Sequence, residues 1–128
     1  MNDQSKPRGK LTLQTVAMPA DTNANGDIFG GWVVSNMDMA CGIAARQRAK
    51  SRAVTRAIDK LEFIAPVEVG DTVCCYAELL KTGRTSMQFR IEVWTLSLEQ
   101  YETPIKAAEG LFTFVSIDDA GKPRAVDH

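Results

Sequence analysis

Met87, Phe89, Ile91 and Val93 alternate with Gln88, Arg90 and Glu92, the period of two that marks a strand with one buried face. Trp94 breaks the pattern by falling on the polar side. Val73, Cys75, Ala77 and Leu79 form a similar set opposite Cys74, Tyr76 and Glu78, and Lys81-Thr82-Gly83-Arg84-Thr85 joins the two runs as a hairpin. Weaker alternation predicts a short strand over residues 11–16. Two further β-rich stretches cover residues 53–63 and 105–117, with Pro66, the Val69-Gly70-Asp71 turn and Thr103-Pro104 as punctuation.

One segment follows a different period. From Gly30 to about Lys50 there is no proline, and Trp32, Val33, Val34, Met37, Ala40, Cys41, Ile43, Ala44 and Ala45 recur at helical spacing. This predicts one helix of about 20 residues, roughly 30 Å long. It is apolar nearly all round, so it is expected to be wrapped by other structure, with its alanines and Gly42 letting a sheet approach closely. Residues 17–27, dense in Asp, Asn, Thr, Gly and Pro, form a long structured loop before it. The architecture that follows is α+β: a long central helix, preceded by a strand and followed by an antiparallel meander that curls around it.

The 128 residues suit a single domain over residues 11–128 behind a polar lead over residues 1–10. Disorder is expected only in that lead. Fifteen basic and sixteen acidic residues give a net charge of -1, so no broad cationic field exists to hold nucleic acid, and any anion must be met locally. The one histidine, His128, is the last residue, where chains usually fray, which argues against histidine catalysis. Cys41, Cys74 and Cys75 form neither a disulfide framework nor a plausible zinc site. That usage fits a reducing cytoplasm, no apolar run approaches a membrane span, and the N-terminus lacks the apolar core of a signal peptide.

Asp38 most needs explaining. On the predicted helix its neighbours at i-4, i+3 and i+7 are Val34, Cys41 and Ala45, and Met37 and Met39 flank it. An unpaired carboxylate in such surroundings costs several kcal/mol unless it is protonated or hydrogen-bonded. It is either a structural acid, bonded to a loop backbone or to an arginine across a subunit contact, or a general base or nucleophile held in a partly dry cleft. The paired Gly30 and Gly31 leave the first N–H groups of the helix sterically open, and such an end can stabilise a carbonyl oxygen that is becoming negative; a plain tight turn is the other reading. The loop matches neither a dinucleotide fingerprint nor a phosphate-binding loop. Lys81 to Ser86 and Lys122-Pro123-Arg124 put cations and hydroxyls at strand ends, as phosphate contacts or as a solvated hairpin tip and polar tail. Adjacent Cys74 and Cys75 point to opposite sheet faces as core fillers.

Taken together, Ala17-Met18-Pro19, the segment Asp21-Thr22-Asn23-Ala24-Asn25-Gly26-Asp27-Ile28-Phe29-Gly30-Gly31-Trp32, the Met37-Asp38 pair, Pro66-Val67-x-Val69-Gly70-Asp71, Glu92-Val93-Trp94 and Gly121-Lys122-Pro123-Arg124 resemble the YciA-like acyl-coenzyme A thioesterases of the HotDog superfamily. The resemblance implies a HotDog fold, with a long helix wrapped by a curved antiparallel sheet. It also implies homodimers with active sites at the interface, assembled into homohexamers as trimers of dimers. By the same resemblance Asp38 is the catalytic carboxylate, Asn23 the substrate-orienting amide, and Gly31 part of the helix start that polarises the thioester carbonyl. Gly30, Trp32, Arg84, Thr85, Ser86, Lys122 and Arg124 fall where substrate or its coenzyme A portion is touched. The helix start and the Asp of one site are expected from opposite subunits. The chain departs from several eukaryotic relatives at Phe29, where they carry His, and in its short tail.

The function so implied is hydrolysis of acyl-coenzyme A to a free fatty acid and coenzyme A, with no metal and no cofactor beyond the coenzyme A of the substrate. Asp38 would deprotonate water or attack directly to give an anhydride. A HotDog hydratase would need a histidine beside the aspartate. A non-catalytic acyl-coenzyme A sensor is the rival of a different class, and it would lack a poised carboxylate. Neither nucleic acid nor membrane insertion is expected.

Overall fold

The computed structural model describes residues 6–128. Its elements are β1 (Lys10–Val16), α1 (Gly30–Ala49), β2 (Arg52–Phe63), β3 (Thr72–Thr82), β4 (Ser86–Leu96) and β5 (Ile105–Ile117), with a single 3-10 turn at Pro19–Asp21 between β1 and α1. The strands form one antiparallel sheet in the order β1-β3-β4-β5-β2. β3, β4 and β5 make the expected meander, but β2 crosses to the far edge and pairs with β5. The reason lies in composition. β3 and β4 bury residues of both faces, including Cys74 and Trp94, and take central positions; β2 carries Arg52, Arg56, Asp59, Lys60 and Glu62 and is tolerated only at an edge.

One face of the sheet carries α1. Val33, Met37, Ala40, Cys41 and Ala45 pack there against Ile91, Phe112 and Phe114, and full burial of a side chain such as Phe112 or Met37 contributes about 1.5–3 kcal/mol. Burial pushes the Cys41 thiol well above the ordinary range, with the Asp38 charge adding to it. Cys75 is raised to about 12 by burial and then by Cys74. Both are inert core fillers, as the pattern implies. The sheet covers one side of the helix. Its opposite side, with Gly31, Ser35 and the 52% exposed Met39, is uncovered.

The other sheet face explains the misplaced tryptophan. The Trp94 indole donates to Glu92 Oε1 at 2.9 Å, and Glu92 is only 1% exposed because Arg8 lies over it. Arg8 gives its backbone N–H to Oε1 at 3.1 Å and its Nε to Oε2 at 2.7 Å, and a terminal guanidinium nitrogen reaches Glu109 at 2.9 Å. Lys106 completes the cluster 3.6 Å from Glu92. Next to Arg8, Gly9 runs at φ +96° so close to β3 that a Cβ would stand 2.5 Å from the Ala77 carbonyl oxygen. The expectation of a disordered lead is therefore corrected for residues 6–10: Arg8 is pinned and Lys10 opens β1. Residues 1–5 lie outside the described residues.

His128 also departs from the expected frayed terminus. Its ring bridges the Ala49 carbonyl at the end of α1 (2.8 Å) and the Arg124 guanidinium (3.0 Å), while Arg48 pairs with Asp127 at 2.9 Å. The helix end is thereby capped by the tail. No helix is long and apolar enough to cross a membrane among the described residues.

Candidate active site

The loop before α1 is held by its own polar groups. Asp21 accepts from the Met18 N–H through Oδ2 (3.0 Å) and from the Phe29 N–H through its carbonyl (3.0 Å), and Thr22 bridges to Ile28. The Ala17 backbone is fixed by the second turn singled out in the sequence, bonding Asp71 and Gly70 at 3.0 and 2.8 Å. Within this frame the Asn23 Oδ1 accepts the N–H groups of Asn25 (2.9 Å) and Asp27 (3.2 Å). The amide oxygen is thus committed to the loop, and its NH2 group is the part left to donate.

Gly30 and Gly31 form the first turn of α1. Neither N–H finds an acceptor among the described residues, and a Cβ on Gly31 would meet nothing within 4 Å. A cavity of about 370 Å³ opens beside Gly30, walled by Phe63, Ile64 and Pro66. Trp32 lies half-buried against the core, its carbonyl accepting from the buried Asn36 amide at 2.8 Å.

Asp38 is partly buried two turns further on and lines a larger cavity, of about 680 Å³, between α1 and the strands β2 and β5. The Thr55 hydroxyl of β2 donates to its Oδ1 at 2.6 Å. No cation pairs with this carboxylate among the described residues. Thr55 is a residue the sequence reading missed. An exposed threonine in a charged edge strand carries no periodic signal, and only the pairing of β2 with β5 brings it over the helix.

The arrangement is that of a carboxylate, an open helix start and a donor amide at separate places on one scaffold. At about 1.5 Å per residue, Gly30 and Asp38 are roughly 12 Å apart along α1. The pattern of the thioesterase superfamily matches residues 25–101, from the end of the loop through the helix and strands β2, β3 and β4. The chain is 50% identical over 122 residues to the acyl-CoA thioester hydrolase YciA of Escherichia coli, covering 94% of this chain and 92% of that protein. The chain belongs to the thioesterase superfamily. Among its solved neighbours, a hexameric thioesterase from Yersinia pestis superposes with a TM-score of 0.91 at 50% identity, covering 96% of this chain and 99% of that one. A hexameric broad-specificity acyl-coenzyme A thioesterase, here with one aspartate changed to alanine, gives 0.90 at 44% identity over 94% and 88% of the two chains. The long helix on a five-stranded antiparallel sheet is accordingly the HotDog form of an α+β fold.

In this superfamily member the two cationic clusters meet. The Val126 N–H bonds the Arg84 carbonyl at 2.8 Å, the Ser116 N–H bonds that of Thr85 at 2.9 Å, and the Arg124 N–H bonds Ser116 at 2.9 Å, which ties the hairpin to the tail. Ser86 caps the hairpin by accepting from Gly83 at 2.8 Å. Lys122 sits in a turn closed by Asp118, and the Arg124 guanidinium is engaged by His128. This junction lies by the C-terminal end of α1, so Arg84, Thr85, Ser86, Lys122 and Arg124 are together but stand a helix length from Gly30 and Gly31. Among the described residues no group of three or more His, Cys, Asp or Glu side chains could hold a metal ion.

Proposed function

We propose that the protein hydrolyses acyl-coenzyme A thioesters to a carboxylic acid and coenzyme A, in sites completed between two copies of the chain. The observation that carries this reading is Asp38: a carboxylate on the wall of a mostly apolar cavity, fixed through one oxygen by Thr55 and with no cation paired to it among the described residues. Its Oδ2 is free to take a proton from water. The water oxygen then bonds to the thioester carbon. Negative charge gathers on the carbonyl oxygen, the C–S bond breaks, and the departing sulfur takes the proton back from Asp38. The open Gly30 and Gly31 N–H groups supply the stabilising dipoles, and the Asn23 NH2 orients the substrate.

A helix start roughly 12 Å from the carboxylate of the same chain cannot serve the same carbonyl. Pairing with a second, antiparallel copy, through the free edge of β2 and the uncovered side of α1, brings the two together. Hexamers like those of the neighbouring thioesterases are the expected assembly. The coenzyme A phosphates are received at the junction of hairpin and tail of a neighbouring copy, where Arg84 is exposed, since this chain's own junction lies at the Arg46 end of α1. The reaction needs no cofactor besides the coenzyme A of its substrate. The three free, buried cysteines suit a reducing cytoplasm.

The test is release of free thiol from a panel of acyl-coenzyme A substrates, with binding measured alongside. Asp38→Asn is expected to lower kcat by about 10²–10⁴-fold while leaving substrate binding and assembly in place. Near-normal turnover removes Asp38 from the mechanism, and binding without any turnover by the unmodified protein makes it a sensor.

A further inference from the structure

Asp38, Gly42 and Arg46 stand four residues apart on one stripe of α1 and all line the larger cavity. They divide it into three parts. At one end is the Asp38 carboxylate with Thr55. In the middle the missing side chain of Gly42 leaves a notch floored by the Phe114 ring, to which a Cβ would come within 3.5 Å. Met39, Ile43, Ala53 and Val54 wall this stretch, none of these side chains offers a hydrogen bond, and in the pairing proposed above the second copy roofs the groove. At the far end is Arg46, which pairs with no carboxylate among the described residues.

A thioester whose carbonyl lies by Asp38 sends two arms away from it. The pantetheine arm carries amides that need partners, and the stretch between Asp38 and Arg46 provides none, so it suits hydrocarbon. Resting on the thioesterase reading above, we infer that this groove is the acyl-chain pocket, that Gly42 is the residue admitting the chain, and that Arg46 receives a terminal carboxylate on it. The length is bounded. Asp38 and Arg46 are separated by about 12 Å along the helix, and a zigzag of bonds near 1.5 Å advances roughly 1.25 Å per carbon. Allowing for contact distance at each end, an acyl chain of about six to eight carbons spans the groove. The matched substrate class is therefore the coenzyme A thioester of a straight-chain dicarboxylic acid of that length, beside the monocarboxylic chains that fill the same notch.

The experiment compares kcat/KM for acetyl-, octanoyl- and suberyl-coenzyme A by thiol release in the full-length protein. In Gly42→Leu the octanoyl-to-acetyl ratio is expected to fall by about tenfold or more, the discrimination a filled apolar pocket gives. Gly42→Ala, whose added methyl makes only ordinary contact with Phe114, is expected to shift the ratio the same way by less. In Arg46→Gln the suberyl-to-octanoyl ratio is expected to fall about fivefold, as for one partly exposed ion pair, with Arg46→Lys restoring part of it. Unchanged ratios in all four variants of an active enzyme overturn the pocket and leave the hydrolase standing. A loss in Arg46→Gln that is equal for all three substrates assigns Arg46 to the coenzyme A phosphates and overturns its role here. No turnover of any substrate by the unmodified protein overturns the hydrolase and this pocket together.

Discussion

Arg8→Ala is expected to be strongly destabilising, although sequence alone places the residue in a polar lead where disorder is expected. The substitution keeps the backbone N–H bond to Glu92 but removes the Nε bond at 2.7 Å and the bond to Glu109 at 2.9 Å. It leaves a carboxylate only 1% exposed with Trp94 and the more distant Lys106 as its remaining side-chain partners. A charge-assisted hydrogen bond contributes about 1.5–3 kcal/mol. The Arg8 side chain is 30% exposed, so screening discounts the sum, and about 2–3 kcal/mol is expected in all. At roughly 4 °C per kcal/mol for a domain of this size, the melting temperature falls by about 8–12 °C at pH 7. The acid dependence has a definite sign. Burial alone pushes the Glu92 carboxyl up, but the donors of Trp94 and Arg8 and the charge of Lys106 outweigh it and hold it below its ordinary 4.5. A carboxyl with a lowered folded pKa stabilises the fold fully above its unfolded value and loses that contribution as pH falls through the folded one. The gap between Arg8→Ala and the unmodified protein should therefore be full at pH 7 and close only below about 4.5. Melting followed by circular dichroism across pH 3–8, repeated in a Glu92→Gln background where Arg8→Ala costs under about 1 kcal/mol, isolates the pair. A shift at pH 7 within about 2 °C, the range of ordinary surface changes, would refute the argument.

Two further outcomes follow from single contacts. Thr55→Val removes the one donor to Asp38 Oδ1 among the described residues; it should lower kcat by about tenfold, one hydrogen bond to a charged group, with a smaller effect on KM, and Thr55→Ser should recover most of the loss. Lys60 holds φ +50° within the irregular register of β2, a left-handed conformation that costs a residue with a Cβ about 1–2 kcal/mol. Lys60→Gly is expected to raise stability by up to about 1 kcal/mol in urea denaturation, and a loss of stability would show that the Lys60 side chain holds the bulge.

The helix and the β3–β4 hairpin were readable because their periods survive in the sequence: each has one face that stays apolar whatever the rest of the chain does. β2 lay within a stretch read as β-rich, but its place did not follow, since an edge strand with only three partly buried side chains leaves little alternation to read. Trp94 was a true anomaly with a physical cause outside its own strand. It is buried because Arg8 and Glu92 cover it, a contact across 84 positions of chain that no local pattern encodes. The same holds for the site. Asp38 announced itself by being a charge where the helix is otherwise apolar, and Gly30 and Gly31 by standing at a helix start. Thr55, polar in a polar strand, gave no such contrast. The apolar excess of α1 implies a helix packed on other structure, and the side that the sheet leaves bare is the one on which Asp38 and Gly31 both open.

α1 is a rigid rod that fixes the spacing of two chemical functions within a chain, and the pairing proposed above leaves their alignment between chains to a seam along β2. Sliding one rod past another by a single helical turn displaces the partner's N–H groups by about 5.4 Å, farther than any reacting distance tolerates. On that pairing an exposed side chain of β2 such as Ile58, which lines neither cavity, acts as the gauge of the catalytic centre, and wear at that seam would be felt as slow chemistry in a protein that still folds.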